Sequence, residues 1–195
     1  NDALKALGDD WSETSPNAYP YYYFGFRVLL FEFIMSGSMH KARVSLVKAS
    51  DYKSKEIHAA LRSCLDYLGG LKTFIKPRSK VFIKINHLSP TTPPEKAVVT
   101  NPLFAKEVIR LLKDLECEIT VGDDVQSKKQ DSFLVSGYRQ LCTEMGIRLV
   151  NLKEIGFRKI KCEGKILKEI FISPLVLDSD FIINLPKLKT HSFTA

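Results

Sequence analysis

The sequence contains no two cysteines at the CxxC spacing of a zinc or iron–sulfur motif, which excludes such a motif within this chain. Three of its four cysteines, Cys64, Cys117 and Cys142, lie in or beside apolar helix or strand patterns, where a thiol behaves as a small hydrophobic group. The fourth is Cys162. This usage predicts a reducing, cytoplasmic compartment.

The sequence also lacks a long hydrophobic run. An aromatic and apolar stretch from Tyr21 to Met35 is about half as long as a membrane span and contains Arg27 and Glu32. It has neither the basic start nor the small-residue cleavage site of a secretory signal, so we expect no membrane-spanning segment. We interpret residues 1–38 as an N-terminal extension outside the main domain, either unstructured or left over from cloning. An interfacial helix or a partner-docking arm is the alternative.

Four common catalytic and nucleotide-binding patterns are missing as well. The chain has no Walker A pattern and no GxGxxG, HExxH or GxSxG sequence. P-loop NTPases, standard dinucleotide-binding domains, zincins and α/β-hydrolases are therefore disfavoured. No cysteine lies near a predicted strand end, so the sequence does not support a Cys–His nucleophilic pair.

The chain is basic, with a formal net charge of +7 that is unevenly distributed. Residues 1–38 hold two basic and five acidic side chains, which leaves the remainder at +10. A basic body favours an anionic partner such as a nucleotide, a phosphorylated metabolite, an acidic protein or a nucleic acid. A solvated lysine-rich surface is the alternative, because the lysines are scattered. Nucleic acid is the least expected partner, since neither aromatic–basic interleaving nor a helix-turn-helix pattern is present.

Apolar periodicity predicts alternating strands and helices from about residue 39 onward. Predicted strands span 43–48, 80–86, 118–121, 148–151 and 180–184, and predicted helices span 54–68 with Ser54 as N-cap, a segment opened by Asn101-Pro102, and 134–145. A β-hairpin joined by Glu163-Gly164 is predicted over 157–172, as an insertion at the sheet edge. The fold class is therefore α/β, a mostly parallel, open, Rossmann-like sheet with flanking helices and a hairpin insertion, incomplete at its C-terminus.

Polar residues follow three of the predicted strands. The carboxyl ends of neighbouring parallel strands form one crevice, so these residues are expected to lie together. They are Asn86 and His87, then Gly122, Asp123 and Asp124, and finally Asn184, Lys187, Lys189, Thr190 and His191.

The acidic and basic residues of this set each have a functional and a structural interpretation. Asp123 and Asp124 could ligate Mg²⁺ or another hard cation, or hydrogen-bond a ribose, or cap the loop that follows the strand. Lys187 and Lys189 suit a phosphate or a carboxylate, with plain solvent exposure as the alternative.

The two histidines and the glycine carry weaker signals. His191 could be a base, a metal ligand or a phosphate donor, and both it and His87 could equally be satisfied structural histidines. Gly122 permits a close backbone approach or a positive φ angle.

Three segments, in this order, resemble the family called domain of unknown function 362. Lys84-Ile-Asn86, followed by the Pro- and Thr-containing segment 94–102, is similar to its K-x-N…P…T-x-P opening. Segment 119–123 is similar to its V-x-x-G-D strand end, and segment 182–191 to its I-N-x-P-K-x-K-T-H signature. The resemblance runs from roughly Val44 to the end of the chain.

The resemblance implies an α/β domain of prokaryotic cytoplasmic proteins, with a redox or cofactor role and often with ferredoxin-like [4Fe–4S] modules, but it implies no particular reaction. The chain departs from the family at His87 and at Asp124, where small residues are usual after the Gly-Asp pair. No cysteine quartet for a cluster is present. The family's motif positions are Lys84, Asn86, Asp123, Lys187, Lys189, Thr190 and His191.

Two classes of function follow. The first is an enzyme or cofactor-handling domain that binds an anionic ligand or a divalent metal in the crevice. In it Asp123 holds a metal or a ribose, and His191 transfers a proton. The second is a non-catalytic docking domain of an iron–sulfur electron-transfer protein, with a ferredoxin-like module as its partner.

Overall fold

The structure is a computed structural model that describes residues 26–31, 43–126, 131 and 133–189. Its strands are β1 (Phe26–Phe31), β2 (Val44–Ala49), β3 (Lys80–Ile85), β4 (Glu118–Asp123), β5 (Arg148–Asn151), β6 (Arg158–Lys161), β7 (Glu169–Ile172) and β8 (Phe181–Leu185). Its α-helices are α1 (Ser54–Tyr67), α2 (Pro102–Lys113), α3 (Tyr138–Met145), α4 (Leu152–Ile155) and α5 (Pro174–Leu177), and single 3₁₀ turns span Leu71–Thr73 and Pro94–Lys96.

A four-stranded parallel sheet in the order β5-β4-β3-β8 forms the centre of the fold and confirms the predicted α/β class. Strands β3 and β4 are the two interior strands and read as nearly continuous apolar runs, as strands covered on both faces do. The apolar stripes of α1, α2 and α3 pack on one face of the sheet, against β3 residues such as Val81, Ile83 and Ile85. The opposite face holds Phe82 and Val150 beneath Leu175 and Val176 of α5.

Helix α2 begins as predicted, with Asn101 as its N-cap and Pro102 as its first residue. Asn101 has an extended backbone, and its side chain accepts a hydrogen bond from the Leu103 amide at 2.9 Å. Pro102 occupies the first helical position, where a missing N–H has no consequence.

The predicted cap of α1 is wrong. Lys53, and not Ser54, is the N-cap, and no side chain caps this helix. The Ser54 hydroxyl instead donates to Oε1 of Glu107 on α2 at 2.7 Å. Glu107 is only 1% exposed and also accepts from Arg110 at 2.6 Å, so a buried carboxylate joins the two helices. A tertiary hydrogen bond therefore replaces the local one.

Strand β2 lies where a strand was predicted but outside the parallel sheet. It pairs antiparallel with β1, from Phe26↔Ala49 to Phe31↔Val44. β1 falls within residues 1–38, the predicted extension, and the rest of that extension lies outside the described residues. The predicted boundary near residue 39 stays a prediction.

Two further elements differ from their predicted bounds. Helix α3 begins four residues later than predicted, because Gly137 precedes it at φ 79° and ends a run of turns. The predicted hairpin forms between β6 and β7, but as a separate two-stranded sheet, and its loop over 162–168 is longer than the two-residue turn expected. The structure does not attach the hairpin to the parallel sheet.

Candidate functional site

The carboxyl ends of β3, β4 and β8 lie side by side. Lys84 pairs in register with Gly122 on one side and with Asn184 on the other. Since adjacent strands are about 4.8 Å apart, residues at these three strand ends share one narrow edge of the sheet. The sequence predicted this juxtaposition, which follows from the parallel strand order.

Asp123 is the best-anchored residue of this edge. It is the last residue of β4 and is 9% exposed. Its Oδ2 accepts the backbone N–H of His87 at 2.6 Å, and its Oδ1 accepts the N–H of Asp124 at 2.9 Å. One carboxylate thus ties the end of β4 to the chain that leaves β3.

Lys84 is a partly exposed cation held by this carboxylate. Its Nζ lies 3.0 Å from Oδ1 of Asp123 and donates to the Ile85 carbonyl at 3.2 Å. The lysine side chain is 45% exposed, whereas that of Asp123 is 12% exposed. The ammonium is therefore fixed in position and still accessible from solvent.

Asn86 and Thr100 fasten the loop after β3 back onto the sheet. The Asn86 side chain donates to the Val98 carbonyl at 2.7 Å, and its backbone N–H donates to Oγ1 of Thr100 at 2.9 Å. The Thr100 hydroxyl donates to the Leu185 carbonyl at the end of β8 at 2.6 Å. Asn86 was predicted as a ligand-binding residue, but its side-chain NH₂ group donates a hydrogen bond to this loop.

Tyr138, the first residue of α3, hydrogen-bonds to the same loop. Its hydroxyl donates to the Thr100 carbonyl at 2.9 Å, and its side chain is fully buried. Burial raises the pKa of Tyr138 well above its ordinary value, so the hydroxyl stays protonated and remains a donor.

His87 is completely buried beside these residues. Its Nε2 lies 2.7 Å from Oγ of Ser136, and that hydroxyl donates to the Phe133 carbonyl at 3.1 Å. Nε2 must then carry the proton, which leaves Nδ1 as an acceptor with no hydrogen-bond partner among the described residues. Burial lowers the pKa of His87, and the Asp123 carboxylate opposes this shift only in part. His87 is therefore a buried imidazole with one of its two ring nitrogens hydrogen-bonded within the described residues.

Lys187 follows β8 and is half-buried. Its Nζ donates to the hydroxyl of Tyr52 at 3.2 Å and lies 5.7 Å from the centre of that ring. The contact brings the segment after β8 against the turn before α1. Lys189 is exposed, and the predicted Thr190 and His191 lie outside the described residues.

Asp124 differs from its neighbour Asp123 because its side chain is 48% exposed. Its Oδ1 lies 3.5 Å from Nζ of Lys153, and no group of three or more His, Cys, Asp or Glu side chains suited to a metal occurs in the described part of the chain. Sequence reasoning missed Asn151, at the end of β5. Its Oδ1 accepts a hydrogen bond from the Val125 backbone N–H at 3.2 Å and so ties the chain that leaves β4 to β5.

Gly122 is required by packing within the sheet. A Cβ placed on it would lie 2.6 Å from the Val150 carbonyl oxygen and 2.7 Å from Cγ2 of the same residue. The close approach predicted for this glycine is present, but the neighbour is strand β5, and its φ is not positive.

Two surface clefts lie at the opposite, amino edge of the sheet. One, of about 400 Å³, is lined by residues 74–79 with Asp180 and Phe181; the other, of about 480 Å³, by Lys72, Pro77, Arg78 and residues 114–116. Among the charged groups that line them, Arg78 pairs with Glu116 at 2.8 Å. The candidate site is the carboxyl edge of the sheet, where the Lys84 ammonium meets the Asp123 carboxylate.

The parallel sheet and its polar carboxyl edge define an α/β domain with a strand-end site. The chain belongs to the family described as "Domain of unknown function (DUF362)", whose model matches residues 81–195. The match begins after Val44, where the resemblance was placed. None of the helices in the described part of the chain has the length and apolar character needed to cross a membrane.

A curated relative extends well beyond the match. Over 150 residues the chain is 27% identical to the thylakoid-associated protein sll1697 of Synechocystis sp. (strain ATCC 27184 / PCC 6803 / Kazusa). The alignment covers 76% of this chain and 46% of the relative, so the chain spans less than half of that protein's length. No solved structure matches the chain.

Proposed function

We propose that the carboxyl edge of the sheet binds a small anionic ligand, a phosphate- or carboxylate-bearing metabolite, in a redox or cofactor-related role. The observation that supports this most strongly is the state of Lys84. Asp123 fixes its ammonium at 3.0 Å, yet the lysine side chain is 45% exposed. A positioned and accessible ammonium is the group that a phosphate or a carboxylate needs.

Lys187 supplies the second cation. It follows β8, which neighbours β3, so both lysines belong to adjacent strand ends. The Lys187 ammonium donates a hydrogen bond to the Tyr52 hydroxyl, and its positive charge is attracted to the face of the Tyr52 ring. In the proposal the anion contacts both ammonium groups, each of which already has a side-chain partner that orients it.

The donors around Asp123 favour an anionic ligand over a metal. Both of its oxygens face hydrogens, from two backbone amides and the Lys84 ammonium. A cation would have to displace these partners. Asp124, half exposed, remains the better candidate for a divalent metal. In the proposal Lys189, Thr190 and His191 add ligand contacts, with His191 as the proton-transfer group.

We also propose that the protein works in a reducing, cytoplasmic compartment. The support is that its four cysteines are free, two of them buried in the core. Burial raises the pKa of Cys64, and it raises that of Cys142 to about 11, which keeps both thiols protonated and unreactive.

Calorimetric titration with inorganic phosphate, nucleotides and dicarboxylates tests the site. Removal of one charge-assisted contact weakens binding about tenfold or more, so Lys84→Gln and Lys187→Gln should each do so. Lys72→Gln, a charge change on an exposed residue near the opposite edge, is the matched control and should bind as the unchanged protein does. Absence of binding to any of these anions, or an equal loss in the control, contradicts the proposal and favours the docking-domain alternative.

A further inference from the structure

The β6–β7 hairpin presents apolar side chains to solvent at its tip. Ile166 is 91% exposed and Leu167 is 61% exposed, and both lie in the loop between the strands. On the strands themselves Phe171 is 65% exposed. Ile166 and Leu167 are adjacent in the chain and Phe171 lies on the neighbouring strand, so the hairpin exposes three apolar side chains within one element.

The hairpin is also strongly basic. Between residues 157 and 172 it carries five Lys and Arg side chains and two glutamates, a net charge of +3. Lys161 and Lys165 flank the tip, and both are exposed. Lys159 lies 5.9 Å from the centre of the Phe171 ring and pairs with Glu169 at 2.8 Å. The exposed cations next to the apolar tip are therefore Lys161 and Lys165, and the exposed Glu163 lies between them.

The tip has a defined shape. The Cys162 amide donates to the Lys168 carbonyl at 2.9 Å, and Lys168 Nζ donates to the Gly164 carbonyl at 2.9 Å. A Cβ on Gly164 would lie 2.6 Å from the Leu167 carbonyl oxygen, so the loop folds tightly at this glycine. These bonds hold the backbone on both sides of Ile166, whose side chain is exposed to solvent.

The strand pairing separates the two faces of the hairpin. Cross-strand neighbours share a face, so Lys159 and Phe171 lie together on the exposed side. The pair Ile160 and Ile170 lies on the other side and is half-buried. One face is therefore less exposed than the other, and Phe171 and the tip residues Ile166 and Leu167 are exposed.

We propose that the tip of this hairpin docks the protein peripherally on an anionic lipid bilayer. Ile166 and Leu167 would enter the interface between headgroups and acyl chains, while Lys161 and Lys165 pair with anionic headgroups. Aliphatic tip residues do not provide the aromatic stacking that single-stranded nucleic acid needs. Protein–protein hot spots are enriched in Trp, Tyr and Arg, and the tip has none of these. This docking is independent of the ligand site proposed above.

Vesicle co-sedimentation at physiological ionic strength tests the proposal. The chain should bind vesicles that contain phosphatidylglycerol and should bind pure phosphatidylcholine much more weakly. Ile166→Ser should weaken binding to anionic vesicles about tenfold or more, because the free energy gained by transferring an isoleucine side chain from water into the bilayer interface is lost. Ile166→Trp, which keeps an interfacial side chain, should retain it. The double variant Lys161→Gln with Lys165→Gln should weaken binding about 25-fold, since each lysine near an anionic surface contributes a factor of about five.

Two controls separate this docking from general stickiness and from misfolding. Tyr67→Ser removes a 75% exposed aromatic side chain on α1, and Lys55→Gln with Lys72→Gln removes two exposed charges elsewhere; both should bind as the unchanged protein does. The far-ultraviolet circular dichroism and the melting temperature of Ile166→Ser should not change. Absence of binding to anionic vesicles overturns the proposal. So does binding that Ile166→Ser leaves intact, because the hairpin would then be an electrostatic site for an acidic macromolecule.

Discussion

Replacing Asp123 with asparagine separates the roles of its two oxygens. In the protein, Oδ2 accepts the His87 amide at 2.6 Å, and Oδ1 accepts the Asp124 amide at 2.9 Å and lies 3.0 Å from Lys84 Nζ. An asparagine has one oxygen and one NH₂ group. Whichever way it is turned, the NH₂ group faces an N–H donor, so one of these contacts becomes a donor–donor clash.

The two kinds of contact differ in their contribution to stability. Loss of a hydrogen bond to a carboxylate costs about 1.5–3 kcal/mol, and an unsatisfied buried amide costs a similar amount, so Asp123→Asn should destabilise the fold by about 2–4 kcal/mol. The ion pair with Lys84 contributes much less. That lysine is 45% exposed, and solvent screening limits the pair to about 1 kcal/mol or less.

Urea unfolding of the chain measures both contributions. We expect Asp123→Asn to lower the transition midpoint strongly with an unchanged m value, and Lys84→Gln to shift it by the equivalent of about 1 kcal/mol or less. If Asp123→Asn unfolds within about 0.5 kcal/mol of the unchanged protein, Asp123 does not join the two strand ends. If Lys84→Gln costs as much as Asp123→Asn, the ion pair, and not the amide contacts, stabilises this edge.

Three further substitutions test the packing of the same edge. Gly122→Ala places a Cβ 2.6 Å from the Val150 carbonyl and should destabilise the protein by about 1–3 kcal/mol in urea; an unchanged midpoint would contradict the close contact. Thr100→Val removes the donor to Leu185 and should cost about 2 kcal/mol, whereas Thr100→Ser should cost less than half as much; equal effects would point to packing and not to the hydroxyl. Burial lowers the pKa of His87, so the unfolded chain binds its proton more readily. The contribution of this group to stability is present above its ordinary pKa and is lost as pH falls from there through the lowered pKa of the folded state. His87→Gln should therefore flatten the acid side of a plot of unfolding free energy against pH by at most about 1.4 kcal/mol per pH unit, and an unchanged slope would assign the acid sensitivity to other groups.

The sequence predicts those elements of the fold whose signals are local. The Asn101 cap and Pro102 start α2 as expected, because a cap needs only three consecutive residues. Parallel strands were recognised from their spacing and their apolar runs. The partner of β2 was missed although it is the preceding strand, because β1 lies in the aromatic run that was interpreted as part of an extension outside the domain. The predicted cap at Ser54 is wrong for a different reason, since its hydroxyl has a tertiary partner in Glu107, 53 residues along the chain.

The candidate site shows the same division. Parallel strand order alone places Lys84 and Asp123 at one edge, and sequence reasoning named both. It missed Tyr138, whose hydroxyl reaches the Thr100 carbonyl from a helix 38 residues away. Thr100 itself stands in a family motif, but only the folded loop reveals that its hydroxyl reaches Leu185. Side-chain partners of this kind require the tertiary structure.

The pairing of β3 with β8 has a consequence for how the chain folds. Val81 lies opposite Phe181, and the Lys80 amide and carbonyl bond to the side chain and amide of Asp180. The chain between Val81 and Phe181 forms a long loop, and its two ends must meet before β3 can pair with β8. Closing a long loop slows folding. During synthesis β3, β4 and β5 leave the ribosome long before their last partner does. One side of β3 is therefore an unpaired strand edge during that interval, and an unpaired edge is a template on which another chain can add a strand.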